Sequence, residues 1–147
     1  MIVVVQRVAR STVSVNGEIV GEISAGLNIL LGIVIADSEE DIDFLVDKIT
    51  KLRMFSDAQE KMNLSIMDIN GSALVIPQFT LAANVRKGRR PSFDLAESPD
   101  LAAQLYKQFV EKLSTRIPVE TGVFAAHMNV EISNDGPVTF IIDSKNK

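Results

Sequence analysis

The sequence predicts an α+β fold: a mostly antiparallel sheet, curved or closed into a partial barrel, carrying two main helices. Three observations predict it. Glycine-bearing dipeptides (Asn16-Gly17, Asn70-Gly71, Asp135-Gly136) fall between strand-like runs, which is hairpin patterning. Two stretches repeat apolar residues at helical spacing. The run 27–36 is almost continuously apolar, with Gly32 inside it, as expected of a central strand buried on both faces.

In chain order, residues 2–9 are rich in β-branched side chains and read as a buried strand. Residues 11–15 and 18–23 form a hairpin about Asn16-Gly17. Ser38 with Asp41 three residues on reads as a capping box opening a helix whose core face is Ile42, Leu45, Val46, Ile49 and Leu52. The acidic run Glu39-Glu40-Asp41 then suits the first turn of that helix better than a metal site. A second hairpin is expected from 64–69, Asn70-Gly71 and 73–79, with Pro77 at an edge or a strand end. Residues 82–99 read as a long loop. Ser98-Pro99 starts the second helix, with Leu101, Leu105, Phe109 and Leu113 as its buried stripe, and the helix stops before Pro118. The runs 127–133 and 138–142 flank Asn134-Asp135-Gly136-Pro137, read by pattern as a turn with Pro opening a strand. Residues 143–147 read as a frayed tail.

The 147 residues suit one domain, 1–147, large enough to bury a core. With no Cys there is no thiol nucleophile, disulfide or Cys-ligated metal, and neither metal nor cofactor is expected. The apolar start is too short and too soon charged for a signal or a membrane span, so a cytoplasmic location without membrane association is expected. The net charge of −4 argues against broad nucleic-acid coating but leaves a local patch open. Such a patch is Arg86-Lys87-Gly88-Arg89-Arg90, which puts four of the fifteen Lys and Arg residues into five positions of the long loop. A solvated loop is the ordinary reading; phosphate contact is the functional one.

Gln78-Phe79-Thr80-Leu81 leaves the strand just before that loop. Backbone N–H groups from Gln78 onward suit an oxyanion site, to which Pro77 cannot contribute. Thr80 lacks an obvious base, and no Gly-x-Ser-x-Gly elbow is present. A hydrolase without a strong protein nucleophile works if the substrate brings its own reactive group. His127, the one histidine, would have to serve any Ser-His-Asp arrangement, but it falls on the polar face of a strand, where a solvated His is commoner.

Two segments, Gln78-Phe79-Thr80-Leu81 and Asn134-Asp135-Gly136-Pro137-Val138-Thr139, together resemble the signature motifs of the D-aminoacyl-tRNA deacylases, which remove D-amino acids mischarged onto tRNA. Gln6-Arg7-Val8, Arg90-Pro91-Ser92-Phe93 and Thr121-Gly122-Val123-Phe124-Ala125-Ala126 resemble that family in the same order, so the likeness spans the chain. It implies a homodimer with active sites at the subunit interface. A cis Gly136-Pro137 unit would enter the partner's site and screen the substrate by backbone alone, steadied by Arg7. Gln78, Phe79 and Thr80 would line the site of the 3′ adenosine and ester carbonyl, with the adenosine 2′-hydroxyl assisting hydrolysis. Glycine, lacking a side chain, would also enter. Arg86, Lys87, Arg89 and Arg90 would meet the tRNA, and neither DNA nor membrane is an expected partner. The family usually has Ser where this chain has Pro77, and a sibling branch with Pro-Gln there has looser chirality control. Two other readings stay open: a non-catalytic RNA-binding module built on 86–90, and a His127-dependent esterase.

Overall fold

A computed structural model describes residues 1–86 and 88–146. Its elements are β1 (Ile2–Val15), β2 (Glu18–Ile23), β3 (Gly26–Gly32), α1 (Glu39–Lys51), β4 (Phe55–Ser56), β5 (Met62–Leu64), β6 (Ser72–Pro77), a 3-10 turn (Phe79–Ala82), α2 (Pro99–Ser114), β7 (Val119–Thr121) and β8 (Asn129–Asp143). The main sheet runs β2-β1-β3-β6-β7, with β8 on the other edge of β1. Pairing is antiparallel around β1 and parallel along β3-β6-β7. The sheet curls until β2 meets β7: a Cβ on Gly21 would lie 2.8 Å from the Thr121 carbonyl oxygen. The result is an α+β fold with a nearly closed, barrel-like sheet.

The expected runs 2–9 and 11–15 form one bent strand, β1, which pairs β3 through its first half and β2 through its second. Asn16 (φ 51°) and Gly17 (φ 85°) supply the two positive φ values of a type I′ turn, as the dipeptide predicts. Both faces of the sheet are covered. Val3, Val5, Leu27, Ile29, Ala73 and Val75 pack with the helices on one side. Val8, Val13, Ile23, Leu74 and Ile76 pack inside the curl. That double burial explains why β3 and β6 read as continuous apolar runs and not as alternation.

Helix α1 begins with the expected capping box, in which the Ser38 N–H donates to Asp41 Oδ2 at 2.9 Å. Helix α2 carries Pro99 at its first position and ends at Ser114, short of Pro118. Its buried residues are Leu105, Tyr106, Phe109 and Leu113; Leu101 is 40% exposed, contrary to expectation. Each four-residue step overshoots a full turn by about 40°, so the early end of a strict i, i+4 stripe rotates out of the core.

Four other expectations are corrected. Residues 64–69 and 73–79 are not a hairpin. Leu64 closes the small β4-β5 pair, and β6 enters the main sheet parallel to β3. Here the Gly71 N–H bonds back to the Ile66 carbonyl at 3.0 Å, ending a local turn. The strand within 27–36 stops at Gly32. Residues 127–142 are not a hairpin either: β8 is one strand, and both of its halves pair with β1. Finally, the tail is clasped. Asp143 pairs with Ile2, and the buried Ser144 hydroxyl donates to Asp41 (2.7 Å) and accepts from the Met1 amine (2.6 Å). Lys145 meets Asp41 at 2.7 Å, while Lys147 lies outside the described residues.

Candidate active site

The site at the end of β6 is made by the chain leaving the sheet. Pro77 is the last residue of the strand, opposite Leu31, as its missing N–H requires. The Gln78 N–H donates to the Leu31 carbonyl at 2.8 Å, and the backbone then winds into the 3-10 turn, with Leu81 N–H to Gln78 carbonyl at 3.2 Å. This turn packs directly on β3. A Cβ on Gly32 would lie 2.8 Å from Leu81 Cβ and 3.0 Å from the Gln78 carbonyl oxygen, so only glycine admits it. The first amides of the turn, those of Phe79 and Thr80, have no hydrogen-bond partner among the described residues, as expected at a helical N-terminus. The Gln78 carboxamide donates to Thr80 Oγ1.

Beside the turn opens a cavity of about 510 Å³. Leu31, Ile33, Ile76, Met128 and Val130 make it apolar; Gln78, Glu97 and His127 bring polar groups to it. Tyr106 also lines it, with its hydroxyl donating to the Val75 carbonyl at 2.8 Å. Burial pushes that phenol well above its ordinary range, so Tyr106 acts as a neutral strut between α2 and β6. The wall 124–126 is shaped by Ala125 at φ 60° and by the Val123 N–H on Met128 Sδ at 3.4 Å. His127 makes no hydrogen bond among the described residues, so no Ser-His-Asp relay is assembled around it. Thr80, likewise, has no base on its hydroxyl among the described residues.

The second feature is a protrusion from β8. In the ladder, Asn134 pairs with Val8 and Thr139 with Gln6, so residues 135–138 bulge out opposite Arg7 alone. Gly136 has φ 117°, a left-handed value, and the Gly136-Pro137 bond is cis. Arg7 anchors the bulge from below: its guanidinium donates to the Met54 carbonyl (2.7 Å) and to the Asp135 carbonyl (3.3 Å), and meets the Asp135 carboxylate at 3.0 Å. Asn134 closes the neck. Its amide donates to the Arg7 (2.9 Å) and Val138 (3.1 Å) carbonyls and its oxygen accepts from Thr139 (3.1 Å) and Gln6 (3.4 Å). Gln6 in turn meets the fully buried Asn28 at 3.5 Å, which ties the bulge to the interior of the curl.

Thus Gln78 and Phe79 line the cavity with Thr80 in the same turn, and Arg7, Gly136 and Pro137 gather at the bulge. The structure does not join the two groups within one chain: none of Arg7, Gly136 and Pro137 lines the cavity. Arg86, Arg89 and Arg90 are exposed on a loop tied at its base by paired Asn84–Ser92 bonds of 2.8 and 3.0 Å; Lys87 lies outside the described residues. Asn134 is the residue that motif reading undervalued. Two of its four partners, Gln6 and Arg7, come from β1, and no spacing in the sequence announces them.

The chain matches the family described as D-Tyr-tRNA(Tyr) deacylase over residues 4–143. It is 68% identical over 145 residues to the D-aminoacyl-tRNA deacylase of Persephonella marina, with 99% of each chain covered. It is 61% identical over 145 residues to that of a Sulfurihydrogenibium species, again with 99% of each covered. A solved structure titled c-Myc DNA Unwinding Element Binding Protein is 41% identical, with a TM-score of 0.92 over 97% of this chain and 98% of that one. A probable eukaryotic D-amino acid tRNA deacylase, 18% identical, shares the fold at a TM-score of 0.82 over 96% and 97% of the two chains. The fold is one shared with a deacylase, and the chain belongs to the D-Tyr-tRNA(Tyr) deacylase family.

Proposed function

We propose that residues 1–147 act as one D-aminoacyl-tRNA deacylase domain that proofreads chirality, releasing the D-amino acid and free tRNA, with mischarged Gly-tRNA as a further substrate. The observation that carries this reading is the family match across residues 4–143.

In this reading the apolar cavity receives the 3′ adenosine and places the ester carbonyl against the free Phe79 and Thr80 amides. Water adds to the carbonyl carbon, and the amides stabilise the resulting oxyanion. The intermediate then collapses, with the 3′ oxygen leaving and taking up a proton. The adenosine 2′-hydroxyl assists, which accounts for a site holding neither a cysteine nor a base on Thr80. No metal or cofactor enters the scheme.

The Gly136-Pro137 bulge of a second copy completes the site in a homodimer: its carbonyls accept from the substrate α-ammonium, and its backbone leaves no room for an L side chain. That Arg7, Gly136 and Pro137 stand apart from the cavity of their own chain supports completion by a partner. Arg86, Lys87, Arg89 and Arg90 face tRNA phosphates, and the cytoplasm, where charged tRNA is found, is the proposed location. Pro77 bears on how strictly L substrates are refused. The test is deacylation of D-Tyr-tRNA beside L-Tyr-tRNA. A strong preference for the D ester is expected; equal rates, or none, would end this reading. Salt-sensitive tRNA binding without turnover would favour the RNA-binding module instead.

A further inference from the structure

The cavity has room for a nucleoside-sized group and its amino acid, at about 510 Å³, not for a run of nucleotides. The nucleotide before the terminal adenosine then lies outside the cavity, and Phe79, which lines the cavity yet is 60% exposed, stands at its rim. What lies there is a second aromatic ring. Phe93 is centred 4.9 Å from the Phe79 ring and tilted 54° to it, and it does not line the cavity. Phe93 is 39% exposed and Phe79 60%, an unusual amount of aromatic surface to leave in water. Phe93 also follows Ser92, the residue whose backbone pair with Asn84 closes the loop of Arg86, Arg89 and Arg90. Among the described residues none of those three arginines is in an ion pair, so each is available to phosphate.

An exposed ring bordered by basic residues matches the chemistry of an unpaired strand, whose bases stack on aromatic faces while arginines track its backbone. A duplex presents no free base face and would need only the arginines. We infer that Phe93 is a stacking platform for the base that precedes the terminal adenosine, so that this surface binds the single-stranded 3′ end of the substrate and not its acceptor duplex. The inference rests on the deacylase reading and adds a specificity residue to it.

The experiment compares kcat/KM for two D-tyrosyl esters, one of adenosine alone and one of the trinucleotide cytidylyl-cytidylyl-adenosine. The wild type is expected to prefer the trinucleotide. Phe93→Leu keeps apolar volume but removes the ring face; it should lower that preference about tenfold, chiefly through KM, while Phe93→Trp retains it. Because the readout is a ratio, a general disturbance of the Phe79 turn cancels, and thermal melting of each variant confirms folding. A preference unchanged in Phe93→Leu, or lost equally in Phe93→Trp, overturns the platform and leaves deacylation standing. A wild type inactive on both esters and on D-Tyr-tRNA overturns the deacylase reading and the platform with it.

Discussion

Thr80 carries the most direct chemical question at the scale of single residues. Its hydroxyl oxygen accepts from the Gln78 carboxamide, and among the described residues no group takes its proton. An oxygen held by a donor and lacking a base is a poor nucleophile but a good hydrogen-bonding wall. Thr80→Ala is therefore expected to retain activity on D-Tyr-tRNA within about tenfold, the scale of one lost hydrogen bond. Complete loss in single-turnover kinetics, with folding intact, would restore Thr80 as nucleophile. Arg7 and Asn134 make the complementary point. Both are polar residues on strands, and their worth lies in what they join. Arg7 holds two carbonyls, of Met54 and Asp135, that are far apart in the chain, while Asn134 staples the neck of its own bulge.

At the scale of elements, α1 shows how a local signal gains a distant function. The Ser38–Asp41 box was legible from spacing alone. Its Asp41 also receives Ser144 and Lys145 from the far end of the chain. Burial pushes the Asp41 carboxyl up, but hydrogen bonds from Lys145, Ser144 and the Ser38 backbone, with the nearby Met1 amine, outweigh it and hold the group well below the usual range. A carboxyl depressed in the folded state contributes stability that is complete above its unfolded value, about pH 4, and is lost as pH falls further. Asp41→Asn is expected to cost about 1–3 kcal/mol at pH 7 and to flatten the acid limb of a pH series of urea melts. An acid limb as steep as the wild type's would remove Asp41 from that role. The Asn-Gly dipeptides mark the limit of local signals. At Asn16-Gly17 both residues have positive φ and a hairpin results. At Asn70-Gly71 only Asn70 does, at 51°, and the chain crosses over to a parallel strand.

For the whole molecule the proposal is a composite site, and complementation tests it. Ala102→Trp should fill the cavity that Ala102 lines. Gly136→Ala should distort the bulge, because the new Cβ would lie 2.8 Å from Arg7 Nη2 and 2.9 Å from Val138 Cγ2 at a φ of 117°. Each variant alone is expected to be nearly inactive. Random mixed dimers of the two carry one intact site, so co-expression should restore about a quarter of wild-type activity. No recovery in co-purified heterodimers would place bulge and cavity function within one chain. The exposed Phe140 and Ile141 on β8, at 39% and 74%, are apolar surface of the kind such an assembly would cover.

The sequence by itself determined what depends on neighbours a few residues apart: both helices with their caps, the first hairpin, the apolar central strand β3, and the motifs whose resemblance points to the family. It could not tell that Asp-Gly-Pro is a bulge, because a turn and a bulge use the same dihedral chemistry and differ only in which strand lies opposite. Pairing both halves of β8 with β1 decided that, and in doing so aimed Gly136 and Pro137 away from the sheet. Nor could it foresee the clasped tail, whose partners stand more than a hundred residues away at Met1 and Asp41. Local sequence fixes conformational preference; which preferences survive is settled by burial and pairing between segments that only the fold brings together.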